Sequence, residues 1–155
     1  MSIHASADSV EEQTADMGST SFTTKVVYGN SASLMVATRP ADYHSAPHYH
    51  DCEQLNWLQN GELWVFVDEA AYHLRAGDFI RIPAGQVHWS WNKGDAPCTL
   101  IEVHSPGLHA DPLVKKFAVS LHRDGEVPDF LGSPVNTFLP ENDSFDPSVA
   151  EQKAE

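Results

Sequence analysis

Pro47-His48-Tyr49-His50-Asp51-Cys52-Glu53-Gln54, followed downstream by Gly85-Gln86-Val87-His88, is the stretch on which the reading of this chain turns. Side chains on an extended strand alternate between its faces, so His48 and His50 point one way and Tyr49 the other. Gln54 stands at an even offset from His50 and shares their face if the strand runs without a bulge. His88 opens a separate strand and can bring a third imidazole from a neighbouring rung. The spacing therefore predicts one divalent metal ion held by His48, His50, Gln54 and His88. A lone histidine is more often a hydrogen-bonded core residue, and His48-Tyr49-His50 by itself fits a surface loop equally well; the downstream partner decides between them. Glu53 has the opposite parity and is a rival fourth ligand should a local bulge turn it inward.

Outward from this stretch the chain reads as short strands. Lys25–Tyr28 and Ser33–Thr38 are β-branched and aromatic runs separated by Gly29-Asn30. Arg39-Pro40 to Ala46-Pro47 reads as a loop, because its prolines interrupt any ladder. Gln54–Gln59 and Leu63–Val67 flank Asn60-Gly61, which predicts a hairpin. Tyr72–Arg75, Phe79–Ile82, Val87–Trp91 and Cys98–His104 follow, with turn residues between them. Strands this short and this closely spaced indicate an all-β sandwich or barrel. Residues 1–21 are polar and aperiodic and read as a flexible arm, and 22–140 as a single domain with a C-terminal extension. Asp111–Phe117 carries a cap and Pro112 at the first helical position, which predicts one or two helical turns. Phe130 to Pro140 is expected to lie extended over the barrel or a neighbouring subunit, and 141–155 reads as an acidic, flexible tail. No role is assigned to His109, His122 or the 111–140 extension.

Composition narrows the partners. The 155 residues are 41% apolar, with four Trp and seven Phe, enough for one sizeable core. Nine Lys and Arg against 22 Asp and Glu give a formal charge of -13, which argues against nucleic acid or an anionic membrane as partner. No apolar run is long enough to span a bilayer and no leader-like segment is visible, so the expected compartment is the cytoplasm. Cys52 and Cys98 fit a reduced interior.

His48-x-His50-x3-Gln54-x6-Gly61 resembles the first motif of the cupin superfamily, except that Gln54 stands where the family usually has Glu. Gly77-x5-Pro83-x-Gly85-x2-His88-x3-Asn92 is similar to the second motif at every defined position. The resemblance implies a small cupin barrel, a double-stranded β-helix or jelly roll, usually homodimeric. It also implies one divalent ion per chain, with Fe favoured and Mn, Ni or Zn as the other choices. Three imidazoles and an amide leave that ion at its full charge, which favours an anionic, chelating ligand such as an enolate, a 2-oxo acid or a catecholate.

Strand parity after Cys98 places Leu100, Glu102 and His104 on one face. If that face looks inward, Glu102 and His104 are the candidate acid/base residues beside a metal-bound small-molecule substrate. Tyr43 and His44 are expected to border the mouth of the pocket, with Asn56 and Arg81 as further pocket candidates. Trp89 and Trp91 have the opposite parity to His88 and are expected to face away from the metal. Three functions compete. The first is a non-haem iron dioxygenase of a diketone, hydroxyketone or phenolic compound, since cupin dioxygenases with three histidines and no carboxylate resemble this chain. The second is a non-redox isomerase, lyase or cyclase of the uronate-processing kind. Such cupins carry an acid-x-Phe-Ser-Pro-x-Arg segment, which here reads Glu102-Val103-His104-Ser105-Pro106-Gly107-Leu108 and lacks the Arg. The third is a cupin that binds or senses a small molecule without catalysis.

Overall fold

Alternation governs the walls of the structure. In β3 (Ser33–Arg39) the buried residues are Ser33, Met35, Ala37 and Arg39, and in β10 (Cys98–Ser105) they are Cys98, Leu100, Glu102 and His104. Each strand thus gives one face to the interior. The computed structural model describes residues 3–17, 20–108, 116–122, 125–128, 130 and 136–139. The other strands are β1 (Gln13–Asp16), β2 (Ser21–Tyr28), β4 (His48–Tyr49), β5 (Glu53–Asn60), β6 (Glu62–Val67), β7 (Ala70–Arg75), β8 (Phe79–Ile82), β9 (His88–Trp91), β11 (Val119–Ser120) and β12 (Thr137–Phe138).

These form two sheets. One runs β1-β2-β3-β10-β5-β8, with β11 added to β2, and the other runs β12-β4-β9-β6-β7. All the pairings are antiparallel except that of β11 with β2. From β3 onward the chain crosses repeatedly between the sheets. One buried apolar cluster gathers Phe22, Val26, Tyr28, Met35 and Tyr43, and a second gathers Leu58, Leu63, Val65, Ile82 and Leu100. Phe66 and Trp89 stack at 4.8 Å in a third, and Trp89 is also among the residues that line the cavity of the histidines. The outer face of the larger sheet leaves Leu34, Leu55, Trp57 and Phe79 exposed.

Three expectations need correction. Asn60-Gly61 does not close a hairpin, because β5 pairs with β10 and β8 while β6 pairs with β7 and β9 in the other sheet. The turn is a crossing between sheets. His48 and Gln54 do not share one strand either: β4 ends at Tyr49, and the chain leaves one sheet through His50–Cys52 to enter the other at Glu53. Finally, the arm expected over 1–21 holds a strand, since Gln13–Asp16 pairs with Ser21–Thr24 and Met17 is buried. The helical turn expected over 111–117 lies outside the described residues apart from Lys116 and Phe117, as do His109 and the 141–155 tail. Thr137–Phe138 does lie extended, paired with β4, and Leu139 N donates to Pro47 O at 2.9 Å.

Gly61 makes the crossing possible. Its φ is +79°, and a Cβ there would stand 2.7 Å from Cys98 Cβ. Gly85 has a similar φ of +78° with nothing within 4 Å of a built Cβ. Left-handed backbone alone costs an L-residue roughly 1–2 kcal/mol, and forced overlap in a packed site roughly 1–3 kcal/mol more. Gly61→Ala is therefore expected to destabilise clearly more than Gly85→Ala in urea unfolding. Equal losses would show that the Cys98 contact relaxes freely.

Candidate metal centre

Neighbouring strands bring the histidines together. His48 and His88 are direct cross-strand partners of β4 and β9, with ring centroids 4.3 Å apart. His50, one residue past β4, has its ring 4.8 Å from that of His88. One ring nitrogen from each of the three lies within 4.8 Å of the other two, and all three residues are buried.

The hydrogen bonds fix which nitrogens converge. His48 Nδ1 donates to Ala46 O at 2.9 Å and His88 Nδ1 to Gln86 O at 2.9 Å, and His50 Nδ1 lies 3.1 Å from Cys52 O. A carbonyl can only accept, so in His48 and His88 Nδ1 carries the proton and Nε2 keeps its lone pair, whereas His50 stands between two such acceptors, Cys52 O and Gln54 Oε1. His88 Nε2 has no partner among the described residues. His50 Nε2 lies 3.0 Å from Gln54 Oε1, and with the proton on Nδ1 the two would offer their lone pairs to a shared cation. Gln54 is oriented by its other end: Nε2 donates to Asn56 Oδ1 at 3.0 Å and to Glu102 Oε2 at 3.2 Å. With both neighbours acceptors, the amide nitrogen must face them and the oxygen must face His50. The donor set fits a divalent ion.

Burial keeps the donors neutral. It pushes His48 down to about 4, with His50 and Arg39 adding to the effect against the Ala46 carbonyl. His50 is lowered by burial against the pull of Gln54, and His88 well below its ordinary value by burial and by His48 and His50. His104 falls likewise through burial and the same two histidines. Burial raises Cys52 to about 12, so its thiol stays protonated at neutral pH in the metal-free chain. Both cysteines are free and buried.

This electrostatics has a measurable consequence. A histidine held neutral in the folded chain has its folded pKa below the unfolded value, so acidification loads protons onto the unfolded chain first. The stability it lends is complete above about pH 6.5 and is lost as pH falls toward 4. For metal-free protein, His48 alone is expected to lower the unfolding free energy by roughly 2 kcal/mol between pH 7 and 5, and the slope should flatten in His48→Gln. Parallel slopes would show that His48 is not held neutral.

The rest of the site sorts clearly. Glu102 and His104 face inward as expected. Glu102 Oε1 pairs with Arg39 Nη2 at 2.7 Å, and His104 Nε2 lies 3.8 Å from Glu102 Oε2. Tyr43 and Asn56 line the cavity beside the histidines, while His44 does not line it. Thr20 Oγ1 donates to His44 O at 2.7 Å, tying His44 through its backbone. Arg81 is a correction: it lies on the outer face, its side chain 61% exposed, and Nε donates to Glu53 Oε2 at 2.6 Å. Arg81 is the cross-strand partner of outward-facing Leu55, and the same pairing removes Glu53 as a rival ligand. Arg39, read as the start of a loop, is instead the buried end of β3. Extending the alternation of Ser33, Met35 and Ala37 by one step would have found it.

A family model described as a cupin domain matches residues 34–104. The 12S seed storage globulins 1 and 2 of Avena sativa are 33% identical over 55 residues, covering 34% of this chain but only 11% of their own length. Among solved structures, an RmlC-like cupin from Shewanella frigidimarina superposes with a TM-score of 0.58 at 19% identity, covering 66% of this chain and 88% of that one. A cupin-superfamily sugar phosphate isomerase from Silicibacter pomeroyi superposes at 0.57 and 19% identity, covering 66% and 74%. At those identities the likeness is one of fold. Facing antiparallel sheets, three convergent histidines and the matched segment agree: residues 34–104 form a cupin domain built as a double-stranded β-helix.

Proposed function

We propose that the protein is a metal-dependent enzyme acting on a small, oxygenated, metal-chelating organic compound. Within that class we favour a three-histidine iron dioxygenase of a diketone, hydroxyketone or phenolic substrate. The reading rests on one observation: three imidazoles and the Gln54 amide oxygen converge without any carboxylate among them. A divalent ion held by His48, His50, Gln54 and His88 supplies a Lewis-acidic centre for an enolate or catecholate and, as iron, a site for O₂. The chain's own residues do the positioning. Ala46, Cys52 and Gln86 carbonyls lock the imidazoles, and Asn56 with Glu102 locks the amide. Leu63, Val65 and Ile82 give the cavity an apolar wall that limits water. His104, whose Nδ1 has no partner among the described residues, stands beside Glu102 as the candidate proton carrier.

Metal analysis of the purified protein, with O₂ uptake measured on pentane-2,4-dione, a hydroxyketone and catechol, tests this. About one iron per chain and O₂ consumption on one of the three support it. Zinc or nickel with no uptake sinks the dioxygenase and favours a non-redox isomerase or lyase. Glu102 and His104 side by side in the cavity support that second reading, since such reactions need a proton carrier. A stoichiometric ligand that emerges unchanged would leave the binding role.

A further inference from the structure

Arg39 is a charged group that metal ligation leaves without a task. It is 6% exposed, lines the same cavity as the histidines, and pairs with Glu102 through Nη2 alone. Its Nε and Nη1 have no hydrogen-bond partner among the described residues. The guanidinium lies over the rings of Phe22 and Tyr43, with Cζ 4.9 and 5.3 Å from their centroids. Tyr43 Oη lies close to Arg39 and Ser45 but makes a well-formed hydrogen bond to neither. Burial works against the guanidinium charge, but Glu102 more than offsets it and the group stays charged. A buried donor left unmatched costs about 1–3 kcal/mol; Nε–H and Nη1–H point to opposite sides of the guanidinium, so a carboxylate would meet one of them, singly or together with the second hydrogen of Nη2.

Charge points the same way. Arg39 and Glu102 cancel, the four donors to the ion add nothing, and Asp16 at the rim is exposed to solvent. A divalent ion would leave the interior with an excess of positive charge that an anion offsets. Size is limited by a cavity of about 90 Å³, room for roughly six to nine water-sized groups.

We infer that Arg39 is the recognition point for a carboxylate on the substrate. The ligand class is then a small organic acid with a metal-chelating pair of oxygens at one end and a carboxylate reaching Arg39 at the other. This deepens the proposed function and rests on its metal site.

The test loads the full-length protein with zinc and measures binding calorimetrically for 2,4-dioxopentanoate and 3,5-dioxohexanoate, each against its methyl ester. In the wild type at least one acid is expected to bind more tightly than its ester. In Arg39→Lys, which keeps the charge and loses the guanidinium donors, and in Arg39→Gln/Glu102→Gln, which keeps the net charge, that preference should fall roughly ten- to hundredfold at equal zinc content. An unchanged acid-to-ester ratio in both variants overturns the inference, as does zinc-loaded wild type that binds neither acid. A wild type that takes up no zinc would instead sink the metal reading beneath it. The double variant removes the risk that a lone buried carboxylate unfolds the chain.

Discussion

Replacing His50 with alanine is expected to strip the protein of its metal. His50 stands at the centre of the cluster, with its ring 6.1 Å from that of His48, 4.8 Å from His88 and 5.6 Å from His104, and its Nε2 3.0 Å from Gln54 Oε1. Loss of a group that merely orients a ligand typically weakens metal binding about 10–100-fold. Loss of the ligand itself should exceed that, so we expect a fall of at least about 10³-fold, measured by metal content after dialysis and by competition with a chelator. Gln54→Ala should cost less, because a neutral amide oxygen is the weakest of the four donors. Gln54→Glu should hold the ion more tightly while weakening anionic ligands, since it brings a negative charge to the centre. A His50→Ala protein that retained a full complement of metal would remove the basis for the site.

How much of this was legible in the sequence follows from the range over which each feature is determined. His48, His50 and His88 were readable because their placement depends on local spacing and on turns rich in Gly and Pro. Gln54 was reached by a parity argument that assumed a continuous strand, yet the chain changes sheets between His50 and Glu53. The irregular segment happens to preserve the inward direction. Asn60-Gly61 misled for a related reason. A left-handed Gly serves a hairpin and a crossing between sheets equally well, and which sheet receives the next strand is decided by β10 packing against β5, far along the chain. Arg81, expected in the pocket, lies on the outer face, and Arg39, expected to open a loop, lies in the cavity. Nothing in composition separates them; Arg39 continues a buried alternation through β3, whereas Arg81 pairs across to exposed Leu55 and neutralises Glu53. Polar Gln13–Asp16 shows no apolar period because it is an edge strand bonded on one side only.

Glu102→Ala is expected to damage stability and metal binding together. Glu102 is 3% exposed and is the carboxylate paired with buried Arg39, so its removal leaves a guanidinium without compensation in an apolar surround. Breaking one side of a buried ion pair typically costs about 3–5 kcal/mol, which urea unfolding would resolve. The second effect passes through Gln54. Its Nε2 would keep only Asn56 as acceptor, and the amide would be freer to turn its oxygen away from His50. Metal affinity should then fall roughly 10–100-fold. The two losses separate in Arg39→Met/Glu102→Leu, where apolar side chains replace the pair. Such replacements are often neutral or stabilising, so stability should return toward wild type. Metal affinity should stay low, because no acceptor at 102 has been restored to orient Gln54. If the double variant recovered both properties, orientation of the amide by Glu102 would be refuted. If it recovered neither, the charge pairing with Arg39 would not be what the single substitution destroyed.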